Sequence, residues 1–255
     1  MDATAKILTE PAATRSKRRK PKLRRGLWLA AGVVLMLVGA VELRRPLFLG
    51  NHDVVDAGRV FRSAQPQANW DRLIESDHLA SVLNLRGGSA SDPFYAAEVQ
   101  VLNDRGVSFY DLSMSATRRP GRRELLALLD LFERCEYPLL IHCKSGADRT
   151  GLASVLYLMS QRNLAPDQAL QAFSIAYGHV PLGGPERLHE PLDEYRNWLA
   201  RKGLAHTPAL FRGWVTSEYQ SDDPPGEFTP IAKGPRVRHR RDAVAVPPIS
   251  PSISR

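Results

Sequence analysis

Residues 137–164, YPLLIHCKSGADRTGLASVLYLMSQRNL, decide the fold of this chain. The run YPLLIHC is continuously apolar up to its His-Cys end, which is typical of a central strand buried on both faces, and a proline is tolerated where a strand begins. After a short Gly-containing loop, RTGLASVLYLMSQRNL is apolar on most sides and predicts a buried helix. The stretch therefore predicts a strand, a tight loop and a helix, with HCKSGADRTG (142–151) at the junction.

The rest of the body alternates strand-like and helix-like patterns. Strands are predicted by RVFRSA (59–64), ASVLNLR (80–86) and VSFYDLS (107–113). Helices are predicted over residues 70–76, 93–104, 121–135, 167–178 and 186–203. This alternation indicates an α/β fold with a central, mostly parallel sheet flanked by helices, in a domain that spans 51–205.

The loop sits where an anion can bind. It follows a buried strand and precedes a helix, so we expect it at the carboxyl end of a parallel sheet, where ligands bind in open α/β folds. Backbone N–H groups of a tight turn and the positive end of the following helix attract phosphate. Cys143 shares that field with Arg149, and both influences favour the thiolate. Arg149 can grip two phosphate oxygens, and the hydroxyl of Thr150 can donate to the departing sulfur. These residues predict displacement at phosphorus through a phosphocysteine.

HCKSGADRTG resembles the signature loop H-C-x5-R-[ST]-G of the cysteine-based protein tyrosine phosphatase superfamily, and the short body resembles its dual-specificity branch. FRSAQP (61–66) and VLNLRG (82–87) are similar to segments of small bacterial and plant-type members of that branch. The resemblance covers roughly residues 56–199. It implies a dual-specificity-phosphatase-like fold, and it implies roles at the loop: nucleophile for Cys143, phosphate binding for Arg149, assistance to thiolate departure for Thr150 and loop ordering for His142.

The general acid departs from the family pattern. Members usually carry an Asp on the loop after the strand that corresponds to VSFYDLS, but SMSATRRPGR in this chain has no carboxylate. Asp148, directly before Arg149, matches the arrangement in myotubularins and in secreted bacterial phosphatases, where that Asp acts as the acid. Asp111 is the alternative, although it falls on the predicted strand. We favour Asp148 because a residue of the loop already reaches the leaving oxygen.

Substrate binding is predicted at the loop and beside it. The candidate substrate-binding residues are Lys144, Ser145, Gly146, Ala147 and Arg86. Lys144 resembles a lysine of several lipid-phosphate phosphatases in the superfamily, and a solvent-facing lysine that raises the local potential is the other interpretation. Arg86 either faces the crevice or forms a salt bridge to the framework.

The net charge of +8 belongs to the two ends of the chain. Residues 1–25 hold nine Lys/Arg against two acidic residues, and residues 220–255 hold six against four, so the body between them carries −1. This distribution excludes a basic nucleic-acid-binding surface on the body. Cys135 and Cys143 form neither a disulfide framework nor a zinc cluster, so no metal and no cofactor is predicted. A single bridge between the two thiols stays open, with packing as the favoured role of Cys135.

The ends of the chain have their own patterns. GLWLAAGVVLMLVGAV (26–41) contains sixteen uncharged residues after a basic block. We interpret 26–43 as an uncleaved transmembrane helix after a basic cytoplasmic head at 1–25, which places the body in the periplasm with its anchor in the inner membrane. The alternative is a cleaved signal peptide and a secreted body. Residues 220–255, rich in proline and basic residues, predict a disordered tail.

The sequence thus predicts a bacterial, membrane-anchored or exported phosphomonoester hydrolase that acts on phosphotyrosine or phosphoserine/threonine in proteins. The alternative substrates are phospholipids, including phosphoinositides. A phosphate-binding pseudophosphatase is the non-enzyme alternative, although a binding protein has no need of the nucleophile. A rhodanese-like sulfurtransferase ranks third, because its loop lacks the Arg-Thr-Gly exit.

Overall fold

The computed structural model describes residues 28, 31–34, 36, 50–221 and 236–238. The central sheet contains β1 (Asp53–Asp56), β2 (Val60–Ala64), β3 (Ser81–Asn84), β4 (Ser108–Asp111) and β5 (Leu139–Cys143), with a short β6 (Arg236–Arg238) at one edge. Their order is β1-β2-β5-β3-β4-β6. The four strands β2, β5, β3 and β4 are parallel, and β1 and β6 pair antiparallel at the edges. The predicted α/β fold with a mostly parallel sheet is confirmed.

Seven α-helices flank the sheet in the described residues: α1 (Trp70–Ser76), α2 (Pro93–Arg105), α3 (Arg122–Arg134), α4 (Asp148–Gln161), α5 (Pro166–Ala169), α6 (Glu190–Lys202) and α7 (Pro208–Ser217). The helix predicted over 167–178 is wrong, because α5 ends early and two short 3-10 turns follow it. Ser174 interrupts the helix, since its backbone is extended and its side chain accepts a hydrogen bond from the N–H of Ala176. Short polar side chains compete with helical hydrogen bonding in this way.

The sheet has a hydrophobic core on each face, which explains the continuous apolar run of β5. Leu139, Ile141 and Cys143 belong to the core that includes α3 and α4, whereas Leu140 belongs to the core that includes α1 and α2. Side chains of a strand alternate between the two faces, so a central strand between two helical layers needs apolar residues at every position. His142 is the polar exception and points toward the second core, where Trp70 contacts it edge-on.

Helix α7 extends the folded body beyond the predicted end at 205. Pro208 occupies its first turn, and the side chain of Thr207 caps it by accepting a hydrogen bond from the N–H of Leu210. Phe211 and Trp214 are buried in the core that includes α4. Burial of a large apolar side chain stabilises a fold by about 1.5–3 kcal/mol, so this helix is an integral part of the body.

The two ends of the chain are described only in part. In the predicted tail, residues 236–238 form β6, and residues 222–235 and 239–255 lie outside the described residues. The predicted head at 1–25 lies outside them as well. Of the predicted anchor, residues 28, 31–34 and 36 are described and are helical, and Trp28 and Met36 are largely exposed. A search of the described residues found no helix with the length and apolarity that crossing a membrane requires.

Candidate active site

The loop of residues 144–147 connects the end of β5 to the start of α4. Because β5 lies between the parallel strands β2 and β3, its carboxyl end opens in the middle of one sheet edge. Cys143 is the last residue of β5 and is almost completely buried. Backbone N–H groups in the first turn of a helix lack intrahelical partners, so α4 presents free donors directly after the loop. The fold thus places a cysteine at the base of an anion-binding turn.

The first two carbonyl groups of the loop are held by donors outside it. The backbone N–H of Gln65 donates to the carbonyl oxygen of Lys144 at 3.3 Å. The side-chain amide of Asn51 donates to the carbonyl oxygens of Ser145 at 2.6 Å and Tyr177 at 2.9 Å. In a trans peptide the C=O and N–H groups point in opposite directions. The N–H groups that follow these carbonyls therefore face the inside of the loop.

Arg62 holds the last two carbonyl groups of the loop. Its Nη2 donates to the carbonyl oxygens of Gly146 at 2.7 Å and Ala147 at 3.5 Å, and its Nη1 donates to that of Ala172 at 2.7 Å. The guanidinium also lies over the ring of Tyr177, 3.6 Å from its centroid. Arg62 is almost fully buried, and its guanidinium contacts these backbone carbonyls and this ring. We therefore assign it to support of the loop and not to direct contact with a substrate.

Gly146 is required by the shape of the turn. It has a φ of 71°, and a Cβ at this position would lie 2.5 Å from the backbone nitrogen of Ala64. Its N–H donates to the sulfur of Cys143 at 3.2 Å. The tight turn thus directs one N–H group at the sulfur.

Arg149 and Thr150 lie in the first turn of α4. The Nη1 of Arg149 donates to the carbonyl oxygens of Leu85 at 3.3 Å and Met114 at 3.2 Å, which fixes the guanidinium between the segments that follow β3 and β4. Its Nε and the hydroxyl of Thr150 are buried and have no hydrogen-bond partner among the described residues. Both groups are therefore donors that remain available to a bound anion or to the sulfur.

His142 lies behind the loop in a buried polar network. Its Nε2 lies 2.6 Å from Oε1 of Glu98 on α2, and both side chains are fully buried. The side-chain amides of Gln65 and Asn84 donate to the other carboxylate oxygen, at 2.9 and 3.3 Å. Asn84 also accepts hydrogen bonds from the N–H groups of Arg86 and Gly87 at the end of β3. The network connects β5, α2 and β3, and thus stabilises the position at which β5 enters the loop.

The two candidate acids have different surroundings. Asp148 begins α4, and its Oδ1 lies 2.7 Å from Nδ1 of His179, whose Nε2 lies 2.7 Å from Nε2 of His189. Burial, together with the neighbouring His179, lowers the pKa of His189. Asp111 ends β4 and accepts a hydrogen bond from the hydroxyl of Tyr95 at 2.8 Å. The structure thus places Asp148 at the loop and Asp111 on the strand.

The remaining predicted residues divide between surface and framework. Lys144 and Ser145 are exposed, and Ala147 is buried. The guanidinium of Arg86 lies 3.3 Å from the centroid of the Phe94 ring on α2, a cation–π contact, and its predicted part in substrate binding stays a prediction. Burial raises the pKa of Cys135 to about 12, and both cysteines are free thiols. Within the part of the chain that the structure describes, no group of three or more His, Cys, Asp or Glu side chains is placed to hold a metal ion.

Five residues that support the site were missed from the sequence: Asn51, Arg62, Gln65, Asn84 and Glu98. Arg62 and Asn84 each interrupt an apolar strand, VFRSA and SVLN, which is an available signal for a buried polar role. Glu98 carries no such signal, because its helix has no strongly apolar face. Asn51 and Arg62 act across 94 and 84 residues of sequence, which the local pattern does not encode.

Residues 49–162 match the model of the tyrosine phosphatase family. The matched residues include β5, the loop and α4, which carry the resemblance to the cysteine-based protein tyrosine phosphatases. An inositol diphosphatase named DSP1 from Oryza sativa subsp. japonica is 31% identical over 109 residues, which are 40% of this chain and 46% of the rice protein. The chain thus spans about half the length of the curated relative that it matches.

Two solved structures are among those to which the chain is similar. The core catalytic domain of the PP-IP phosphatase SIW14 from S. cerevisiae is 21% identical, with a TM-score of 0.46, over 60% of this chain and 93% of that one. The P. aeruginosa protein TpbA is 21% identical, with a TM-score of 0.40, over 56% and 96% of the two chains.

Arg62→Met is predicted to weaken anion binding by the loop. The substitution keeps the bulk of the side chain but removes the donor to the carbonyl of Gly146, whereas the carbonyl of Ala147 keeps its hydrogen bond from the N–H of Gly151. A buried carbonyl left unsatisfied costs about 1–3 kcal/mol. We expect the Kd for inorganic phosphate, measured by calorimetry, to rise at least tenfold. Arg59→Met, in the turn before β2, is the matched control and should leave this Kd within about twofold. An unchanged Kd in Arg62→Met would show that the loop keeps its shape without Arg62.

Proposed function

We propose that the body is a phosphomonoester hydrolase that acts through a phosphocysteine intermediate. The observation that carries the proposal is the loop itself. Its four consecutive carbonyl groups accept hydrogen bonds from donors outside the loop, and the sulfur of Cys143 lies at its base. Such a turn offers N–H groups to an anion from several sides. A buried thiol in an anion-binding turn, followed by an arginine with an unused donor, matches the requirements of phosphoryl transfer.

The proposed reaction has two displacements. In the first, the sulfur of Cys143 attacks phosphorus, the bond from phosphorus to the leaving oxygen breaks, and Asp148 gives its proton to that oxygen. Arg149 and the loop N–H groups bind the other phosphate oxygens as their charge shifts. In the second, water attacks phosphorus and gives a proton to Asp148 while the sulfur–phosphorus bond breaks. The hydroxyl of Thr150 donates to the departing sulfur.

For the substrate, we propose phosphorylated protein, on phosphotyrosine or on phosphoserine/threonine, which the match to the tyrosine phosphatase family supports. The rice relative, an inositol diphosphatase, favours a phosphoinositide or an inositol phosphate as the second candidate. The exposed Lys144 beside the nucleophile suits a substrate with several phosphates. A pseudophosphatase would bind the same ligands without turnover.

Cys143→Ser is predicted to abolish turnover and to keep phosphate binding. A serine hydroxyl is a far weaker nucleophile than a thiolate, whereas the loop N–H groups are unchanged. We expect no hydrolysis of phenyl phosphate, phosphotyrosine peptides, phosphoserine peptides or phosphoinositides by this variant, each measured as released phosphate. Cys135→Ser is the control and should retain activity, because that buried thiol lies outside the loop. Persistent turnover in Cys143→Ser would overturn the mechanism, and the wild-type rates across the panel rank the two substrate classes.

The acid assignment is tested by leaving-group dependence. Asp148→Asn is predicted to lower kcat/KM for phenyl phosphate by about 10²–10⁴, the usual contribution of a general acid. We expect kcat/KM for 2,4-dinitrophenyl phosphate to change by less than about threefold, because kcat/KM reports the first displacement only and this leaving group departs without a proton. Asp111→Asn should alter neither kcat/KM by more than about threefold. If Asp148→Asn keeps its rate while Asp111→Asn loses at least tenfold on phenyl phosphate, Asp111 is the acid.

We also propose that residues 26–43 anchor the chain in a bacterial inner membrane with the body in the periplasm. The sixteen uncharged residues 26–41 and the basic block before them support this proposal. The described residues of this segment are helical, and the large apolar side chains among them, Trp28, Val33, Val34 and Met36, are exposed. Extensive exposure of apolar side chains is typical of a surface that is covered by lipid or protein.

A β-lactamase fused after Arg255 of the full chain tests this topology. We expect the fusion to confer ampicillin resistance on a bacterial host, because the reporter must lie outside the cytoplasm to protect the cell wall. Deletion of residues 26–41 is the control and should abolish resistance at equal expression. Resistance that survives the deletion, or a full-length fusion that is active only in lysates, would overturn the proposal.

A further inference from the structure

Asp148 is connected to two histidines by a continuous chain of short contacts. Its Oδ1 lies 2.7 Å from Nδ1 of His179, and Nε2 of His179 lies 2.7 Å from Nε2 of His189. The ring of Phe173 packs against both imidazoles, with centroid distances of 4.5 and 4.2 Å. His179 is 5% exposed and His189 is half-buried. The three groups are therefore held in a fixed order from the loop toward the surface.

The contacts define which atoms carry protons when Asp148 is ionised. A carboxylate oxygen only accepts, so Nδ1 of His179 must carry the hydrogen of the first contact. A neutral His179 then has a bare Nε2, and the second contact requires Nε2–H of His189 as its donor. His189 suits this role, because burial and the neighbouring His179 lower its pKa and keep it neutral. His189 thus fixes the tautomer of His179 that donates to Asp148.

A neutral donor suits a carboxyl group that must act as an acid. An arginine or an imidazolium beside Asp148 would hold the carboxylate in its ionised form, whereas a neutral N–H group orients it with a much smaller electrostatic effect. One oxygen of Asp148 is engaged by His179, and the other is then free to carry a proton toward the leaving oxygen. The groups that face the two imidazoles are Asp148 on α4 and Asp193 on α6, besides the imidazoles themselves.

We propose that His179 is a positioning residue that aims Asp148 at the leaving group, with His189 setting its tautomer. The proposal deepens the proposed phosphatase function and rests on it, since it requires Asp148 to be the general acid. Proton transfer depends steeply on the placement of the donor, so a carboxyl group that rotates freely loses rate only where a proton is needed. The predicted helix is interrupted after α5. The segment that follows the interruption places His179 beside Asp148 at the start of α4, and His189 beside His179.

The test compares His179→Leu with His179→Asn on two substrates. Leu removes the donor, whereas the amide N–H of Asn takes the place of Nδ1–H and restores the hydrogen bond to Asp148. We expect His179→Leu to lower kcat/KM for phenyl phosphate at least tenfold and kcat/KM for 2,4-dinitrophenyl phosphate less than threefold, since kcat/KM reports the first displacement only. His179→Asn should recover most of the phenyl phosphate rate. A purely structural histidine would affect both substrates alike, and Asn would rescue neither selectively.

A second pair of variants keeps the proposal testable if burial makes His179→Leu unstable. His189→Gln retains an N–H donor near the position of Nε2 and should leave the ratio of the two rates unchanged, whereas His189→Leu should lower the phenyl phosphate rate selectively by about threefold or more. The proposal is overturned if neither Leu variant changes the ratio. It is also overturned if Asp148→Asn leaves the ratio unchanged. The phosphatase function fails separately, through turnover in Cys143→Ser.

Discussion

The outward anchoring of the loop carbonyls is the constraint on which the candidate site depends. A turn of residues 144–147 has no reason of its own to point every N–H group inward, because an isolated turn satisfies its carbonyls with water. Arg62 and Asn51 supply donors on the outer side, at distances of 2.6–2.7 Å for the shortest contacts. These donors lie on β2 and just before β1, so the edge of the sheet builds the anion site. Preorganised donors of this kind cost no reorganisation when charge develops.

The end of strand β5 contributes to both faces of the sheet. Cys143 lies on the side of α3 and α4, and the preceding His142 points to the opposite side, where Glu98 of α2 holds it. Loss of this buried contact would leave Oε1 of Glu98 without its hydrogen-bond partner, and an unsatisfied buried polar atom costs about 1–3 kcal/mol. The end of β5 is thus fixed from behind by a polar network and from the front by the loop. The position of Cys143 is therefore set by the strand and the loop together, and the N–H of Gly146 contacts its sulfur.

The sequence was sufficient for the parts of the fold that local patterns encode. The continuous apolar run of β5 and the apolar helix after it predicted the strand–loop–helix unit, and the helices at 70–76 and 93–105 follow from their own patterns. The helix predicted over 167–178 is wrong because the prediction relied on the spacing of apolar residues. In the structure, the extended backbone of Ser174 interrupts the helix. Asn51 and Arg62 could not be assigned, since their partners lie 94 and 84 residues further along the chain. The pairing of His179 with Asp148 likewise depends on how a loop folds back over α4.

The contacts of the segment after β4 are consistent with the proposal that Asp148 is the general acid. In the phosphatases that the loop resembles, that segment usually carries the acid, but in this chain it has no carboxylate and makes structural contacts. The carbonyl oxygen of Met114 accepts a hydrogen bond from Arg149. The guanidinium of Arg119 donates two hydrogen bonds to the carboxylate of Glu194 on α6, at 2.6 and 2.8 Å. Gly184 also packs tightly on it, since a Cβ there would lie 2.7 Å from Thr117. A segment held on three sides is poorly suited to swing a carboxylate over a substrate. Asp148 needs no such motion, because the start of α4 already places it beside the loop, and what it requires is an orienting partner on the adjoining segment.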